Sequence, residues 1–312
     1  MSIQNKKGTD KKHISLSRKL NQEHIAGYIF ILPFIIGFLC FTILPILASL
    51  VLSFTKYDVL SPPKFIGLTN YTEMFIKDPL FWKSLGVTFY YTLVSVPLRL
   101  FIALMIAMLF VRSTKASYIY RAVFYLPSII GGSVAVAVLW KNIFAMNGVI
   151  NSLLMSIGIN SRISWLGRTD TAIWVLIILA VWQFGSPMLI FLSALKQIPV
   201  SFYEAARVDG ASRIKQFYKI TLPMLTPVIF FNLIMQLING FIAFTQCFII
   251  TGGEPLDSTL FYAVYMYRRS FTFYQMGYGS AMAWLMLLIV GLLTVLIFKT
   301  SNKWVYYEAK VE

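Results

Sequence analysis

Acidic side chains are scarce in this chain, with 12 Asp and Glu against 27 Lys and Arg in 312 residues, and the charged residues together make up only 12%. So little charge excludes a water-soluble domain with an ordinary solvated surface. Cysteine is nearly missing: Cys40 and Cys247 both fall within apolar runs, which leaves no disulfide framework. The two histidines, His13 and His24, lie in the N-terminal tail, so no cluster has metal-ligand spacing. No GxxxxGK[ST] run is present to cradle nucleotide phosphates, and the chain is therefore not expected to hydrolyse ATP itself. Residues 1–24 lack an apolar stretch and carry Lys6, Lys7, Lys11, Lys12, Arg18 and Lys19, so they do not read as a cleaved secretory signal, and the apolar run that follows is expected to be retained. No catalytic, cofactor-binding or metal site is expected.

Apolar residues fill the space. The chain is 58% hydrophobic and 16% aromatic, and its mean hydropathy is +0.73. Six runs are long enough to cross a bilayer: Ile25 to Ser53, Leu85 to Phe110, Ile119 to Trp140, Ala172 to Leu195, Met224 to Ile250 and Tyr278 to Phe298. The expected fold is all-α and polytopic, with a cytoplasmic tail at 1–24, a membrane domain at 25–298 and a second tail at 299–312. Proline, glycine and polar residues interrupt several runs, which lipid tolerates only where neighbouring helices or a cavity satisfy the freed groups. Basic residues concentrate in the two tails and in the second and fourth loops, whereas acidic residues divide evenly between the two sides. That bias places both termini and the fourth loop, 196–223, in the cytoplasm. It also explains the formal net charge of +15 without invoking nucleic acid.

The fourth loop carries a charged amphipathic stretch, Glu204 to Pro223, between strongly apolar segments. Ser201 can cap a short helix with Phe202, Tyr203 and Ala206 on its apolar side, and Glu204 and Asp209 contribute charge. Gly210 can release the chain through a turn that a Cβ would resist. Beyond it, Ile214, Phe217, Ile220 and Leu222 recur beside Arg213, Lys215 and Lys219, a pattern that predicts a second helix along the membrane surface before Pro223 opens the next span. A membrane-anchoring helix with no other role explains the pattern alone; an alanine-rich helical start followed by a glycine points to a surface on which a partner sits.

The spacing Glu204-Ala205-Ala206, three residues, Gly210, nine residues, Ile220, one residue, Leu222-Pro223 closely resembles the EAA signature of binding-protein-dependent ABC importer permeases. The form EAARVDGA, the Thr251-Gly252-Gly253 run and Gly279-Ser280-Ala281-Met282-Ala283-Trp284 look like the carbohydrate-importer branch. The likeness runs from Gly27 to Phe298 and departs at Gly253-Glu254-Pro255, where the family commonly has another glycine before proline. The resemblance implies a type I importer permease whose EAA loop docks in a cleft of a cytoplasmic ATPase, a role that falls on Phe202, Tyr203, Glu204, Ala205, Ala206, Asp209 and Gly210. Phe202 and Tyr203 would supply contact area there, and Glu204 would face a basic group. It also implies a second homologous permease subunit, two ATPase subunits that use ATP and Mg, an extracellular lipidated solute-binding protein, a carbohydrate substrate and a bacterial plasma membrane.

Inside the fifth run, Asn232, Gln236 and Asn239 share one helix face, and Gln246 continues it two turns on. Amides are costly in hydrocarbon unless paired, yet each donates and accepts, which suits a substrate with many hydroxyls. A polar network between helices is the structural alternative. With Trp182 and Gln183 in the fourth run, these amides outline a candidate substrate path at the bundle centre. Arg268 and Arg269 sit among the aromatic residues between Tyr262 and Tyr278, a segment that reads as a membrane-interface belt, a docking surface or a contact for an anionic sugar. Arg99 lies well inside the second run, where it must snorkel, bond within the bundle or meet substrate. A polyol or glycerol-phosphate importer, an ATP-independent secondary transporter and a noncatalytic scaffold remain open; the secondary transporter leaves the full EAA spacing unexplained, and the scaffold leaves the repeated amides of the fifth run without a role.

Overall fold

A computed structural model describes residues 23–111, 115–159 and 162–306. Most of the two tails, including His13, therefore lies outside the described residues. Four helical stretches are long and apolar enough to cross a membrane, Gly27–Ser53, Pro79–Leu109, Arg213–Ile250 and Met276–Trp304, and two bent helix pairs raise the number to as many as six. The only strands among the described residues are β1 (Thr55–Lys56) and β2 (Lys64–Phe65), paired antiparallel with Thr55 opposite Phe65. The expected all-α class holds.

The first stretch consists of α1 (Glu23–Phe38), a π turn at Leu39–Ile43 and α2 (Leu44–Ser53). Its most apolar window has no buried residue, and Phe30 and Phe41 are 84% and 85% exposed. Only its far end is tied down, where Trp284 Nε1 donates to Ser49 Oγ at 3.1 Å. After α3 (Thr69–Ile76), Asp78 caps α4 (Pro79–Leu109) by accepting from Leu80 N at 3.1 Å and Phe81 N at 3.2 Å, and Pro79 occupies the first turn, where its missing N–H costs nothing. This 31-residue helix is the central post of the bundle. Helices α8, α9, α12 and α14, whose ranges follow, all pack on it.

The third run is not one straight helix. α5 (Lys115–Ile130) and α6 (Val134–Ile143) meet at 100°, because Gly131-Gly132 interrupts the ladder and Ser133 caps the new helix, accepting from Val136 N at 3.3 Å. A short helix, α7 (Val149–Ser156), follows. The fourth run is α8 (Ala172–Trp182) and α9 (Gly185–Gln197), bent by 40° at Gln183-Phe184. Gly185 is required there by close approach: a Cβ would stand 2.5 Å from Phe124 O and 2.7 Å from Tyr125 Cα. Helix association in lipid rests on such packing and on interhelical hydrogen bonds, since lipid tails are as apolar as leucine.

α10 (Val200–Val208) precedes a continuous helical run through α11 (Arg213–Gln216), a π turn at Phe217–Thr221 and α12 (Leu222–Phe241), which bends into α13 (Thr245–Ile250). The expected surface helix before Pro223 is thus the first two turns of the fifth span. Pro223 sits in the first turn of α12, and the π geometry just before it accommodates the missing donor. α14 (Tyr262–Tyr267) and a π turn at Arg268–Thr272 lead to α15 (Met276–Trp304). Two apolar clusters form the interior. One, around Phe81, Leu176, Tyr262 and Met282, fills the end opposite the 200–222 loop; the other, around Leu100, Phe191, Leu192 and Leu225, fills the loop end. A polar cavity lies between them.

Candidate functional site

The loop end is built around a helix terminator. Gly210 has φ +72°, its N–H reaches Arg207 O at 3.1 Å, and Ala211 N reaches Ala206 O at 2.8 Å. These paired bonds close α10 in a Schellman motif and turn the chain back toward the bundle. The expectation for Gly210 holds in its dihedral, and nothing lies within 4 Å of where a Cβ would be. Ser201 does not cap α10; Pro199 holds that position with no side-chain bond, and Ser201 falls inside the first turn. Ser212 instead caps α11, accepting from Lys215 N at 3.3 Å.

Two neighbours in the loop face opposite ways. Tyr203 packs on the loop-end core, and its hydroxyl meets Thr221 Oγ1 at 2.9 Å, so it anchors the loop to the fifth span instead of offering contact area outward. Phe202 is half exposed, Glu204, Ala205 and Asp209 are exposed, and Val208 and Ile214 are 89% and 72% exposed. Ala206 is half buried. The loop presents a mixed apolar and charged face on a fixed stem.

The central cavity has a volume of about 480 Å³, and six of the helices described above line it: α4 contributes Tyr91, Ser95 and Arg99; α5 contributes Ser128; α8 contributes Leu176 and Leu179; α9 contributes Ser186; α12 contributes Asn232, Gln236 and Asn239; and α13 borders it as well. Gln183 and Gln246 complete its polar wall. Five of the six sequence-selected path residues therefore converge on one space. Trp182 does not line it; its indole packs 5.4 Å from Trp140 inside the opposite cluster, because α8 turns that face away. The amides divide further by partner. Asn232 Nδ2 donates to Val228 O at 3.0 Å, Gln183 Nε2 to Leu179 O at 3.2 Å and Gln246 Nε2 to Gly131 O at 3.3 Å. Gln236 and Asn239 bond to nothing among the described residues, and neither has an amide atom sealed from the cavity. The Gln246 bond ties α13 to the break in the third run and the Asn232 and Gln183 bonds reach back four residues along their own helices, while Gln236 and Asn239 present open donors and acceptors.

The break in the fourth span explains part of the wall. Ser128 Oγ donates to Gln183 O at 2.8 Å and accepts from Ser186 N at 2.9 Å, so one hydroxyl bridges the two backbone groups released at the bend. Sequence inspection missed Tyr91, Ser95, Ser128 and Ser186. The signal for two of them was present, since Tyr91, Ser95 and Arg99 recur every four residues on one face of α4.

At the opposite end, Arg268 and Arg269 are engaged internally. Arg268 bonds to Gly252 O and lies 3.9 Å from Asp257. Arg269 Nη2 donates to Asp78 Oδ2 at 2.8 Å, and the hydroxyls of Tyr265 and Tyr278 donate to the same oxygen at 2.5 Å each. The guanidinium also lies 5.3 Å and 4.7 Å from the centres of the Tyr265 and Tyr278 rings. Burial disfavours the Asp78 charge, but hydrogen bonds from Tyr265, Tyr278 and Arg269 and the charge of Arg269 outweigh it and hold the carboxyl below its ordinary pKa. The pair is a structural clamp that joins α4 to the segment before α15.

Residues 79–305 match the family of binding-protein-dependent transport system inner membrane components, and the chain belongs to that family. It is a multi-pass membrane protein and a permease subunit of an ABC-type import system, a class in which ATP hydrolysis belongs to a separate partner. It is 58% identical over 298 residues to the probable ABC transporter permease protein YesP of Bacillus subtilis strain 168, covering 95% of this chain and 96% of that protein. It is 34% identical over 286 residues to the lactose transport system permease protein LacF of Rhizobium radiobacter, covering 89% and 95%. Among solved structures, a subunit of a bacterial ABC transporter that imports the acidic polysaccharide alginate superposes with TM-score 0.77, at 23% identity, over 93% of this chain and 99% of that one. That last likeness carries the fold.

Proposed function

We propose that this chain forms half of the translocation pathway of an ATP-driven importer for sugars or oligosaccharides, moving substrate by alternating access. The observation that carries the reading is the convergence of Gln236 and Asn239, with their amides open, on a cavity that connects through α12 to a rigidly stemmed surface loop. Neutral amides and serine hydroxyls both donate and accept, as sugar hydroxyls require. The arabinooligosaccharide and lactose permeases of other bacteria stand among the relatives, which supports a carbohydrate over a polyol.

In this reading the termini and the 200–222 loop are cytoplasmic, in the bacterial plasma membrane. A second permease subunit completes the cavity, an external lipidated binding protein delivers substrate, and two ATPase subunits bind ATP and Mg. The face made by Phe202, Glu204, Ala205, Val208 and Asp209 docks in an ATPase groove. Tyr203, Ala206 and Gly210 fix that face to the fifth span, so closure of the ATPase pair shifts α12 and the cavity wall with it. The test is ATPase activity of the reconstituted four-subunit complex. Stimulation by oligosaccharide-loaded binding protein is expected, and activity indifferent to both sugar and binding protein overturns the proposal.

A further inference from the structure

Arg99 is the one charged residue lining the central cavity; no Asp, Glu or Lys among the described residues reaches it. Its Nε and Nη2 donate to a single acceptor, Gln183 O, at 2.9 and 2.5 Å, and Ser128 Oγ reaches that same oxygen at 2.8 Å. A carbonyl oxygen offers two lone pairs, so three donors oversubscribe it, and Ser128 would satisfy it without the arginine. The guanidinium has five N–H donors and spends two on a neutral group. The ion pairs formed among the described residues, Arg168–Asp170, Arg268–Asp257 and Arg269–Asp78, all lie away from this cavity. A cation within a span and without a counter-charge is costly, and such residues occur where an ion or substrate passes.

The surroundings define what the missing counter-charge is. Ser95 lies one turn before Arg99 on α4, and Gln236 and Asn239 look into the same space, so the charge is embedded in a neutral hydrogen-bonding wall. A phosphoryl dianion would leave uncompensated negative charge against one guanidinium, whereas a carboxylate matches it one to one and in bidentate shape. We infer that the cavity takes an oligosaccharide that carries a uronic-acid residue, with the sugar carboxylate paired to Arg99 and ring hydroxyls on Gln236 and Asn239. This rests on the carbohydrate reading above and adds Arg99 as a specificity-determining residue.

The test uses the assembled complex in lipid nanodiscs and two labelled trisaccharides of equal length, one in which a single residue is a uronic acid and the same trimer with that carboxyl reduced to a hydroxymethyl group. Equilibrium dialysis is expected to show the acidic trimer bound at least about tenfold more tightly, with a preference that shrinks as salt is added. R99Q should erase about 10- to 100-fold of that preference, the range for a hydrogen-bonded charge, and R99K should keep part of it. Equal binding of the two trimers by the native complex overturns the acidic-sugar inference and leaves the carbohydrate reading standing. Binding of neither trimer, together with no sugar-dependent ATPase stimulation, overturns both. The native comparison decides the matter even where R99Q fails to assemble.

Discussion

Gly210 gives the sharpest test of the loop. Its φ of +72° is in the left-handed region, and the space around its missing Cβ is empty. Ala therefore meets no clash with a neighbour, and its cost is conformational alone, about 1–2 kcal/mol. Asn, which tolerates that region, should cost less. Pro locks φ near −65° and removes the N–H that bonds Arg207 O at 3.1 Å, so it should cost about 3 kcal/mol or more locally. A loss of 1–2 kcal/mol lowers the population of the terminated loop about 5- to 30-fold relative to competing conformations. If the loop transmits ATPase closure, sugar-stimulated ATPase activity and uptake should fall in the order Gly, Asn, Ala, Pro. Assembly of each complex is checked by size-exclusion chromatography, and hydrogen exchange of residues 209–215 reports the local opening directly. An intact Gly210→Pro complex with native stimulation and uptake would contradict this role of the loop, as would a rank order in which Ala is worse than Pro.

Other outcomes follow from single contacts. Gln236→Leu keeps bulk but removes an open donor and acceptor, so uptake should weaken by the equivalent of about 1–3 kcal/mol while binding-protein docking persists; unchanged uptake assigns Gln236 to bundle support. Tyr203→Phe deletes the 2.9 Å contact with Thr221 Oγ1, and a stability loss of about 0.5–1.5 kcal/mol with reduced ATPase stimulation is expected, read from thermal unfolding and activity of the same sample. Asp78→Asn breaks a pair whose side chains are only 4% and 19% exposed, and should cost about 3 kcal/mol of stability at neutral pH. Because the Asp78 pKa is depressed in the fold, its contribution is complete above the unfolded value of about 3.9 and is lost as pH falls through the lower folded value. The gap between native and Asp78→Asn melting temperatures should thus hold from pH 7 to 5 and close only under stronger acid; a gap that closes near pH 6 contradicts the assignment.

Local patterns were the legible part of this chain. Apolar length announced the spans, the four- and three-residue spacing of Asn232, Gln236 and Asn239 announced the polar face, and Gly210 announced a left-handed terminator. Relations between distant segments were not legible. Nothing in sequence ties Arg269 to Asp78, 191 positions away, and an exposed cation pair and a clamped one read alike. Hydropathy averages over Gly131-Gly132-Ser133, which hid a 100° break in the third run. Tyr203 and Phe202 are adjacent aromatics in an amphipathic helix, and only the position of Thr221 shows which faces inward. Trp182 shares a helix with cavity residues but turns toward Trp140, an orientation that the bend at Gln183-Phe184 decides.

The proposed function requires that this chain move sugar only when an ATPase works on its loop. Binding-protein-dependent oligosaccharide uptake into proteoliposomes, measured with the active ATPase partner and with one whose phosphate-binding lysine is replaced, tests it most directly. Uptake is expected with the first and none above background with the second. Equal uptake with both would contradict it and identify an ATP-independent transporter.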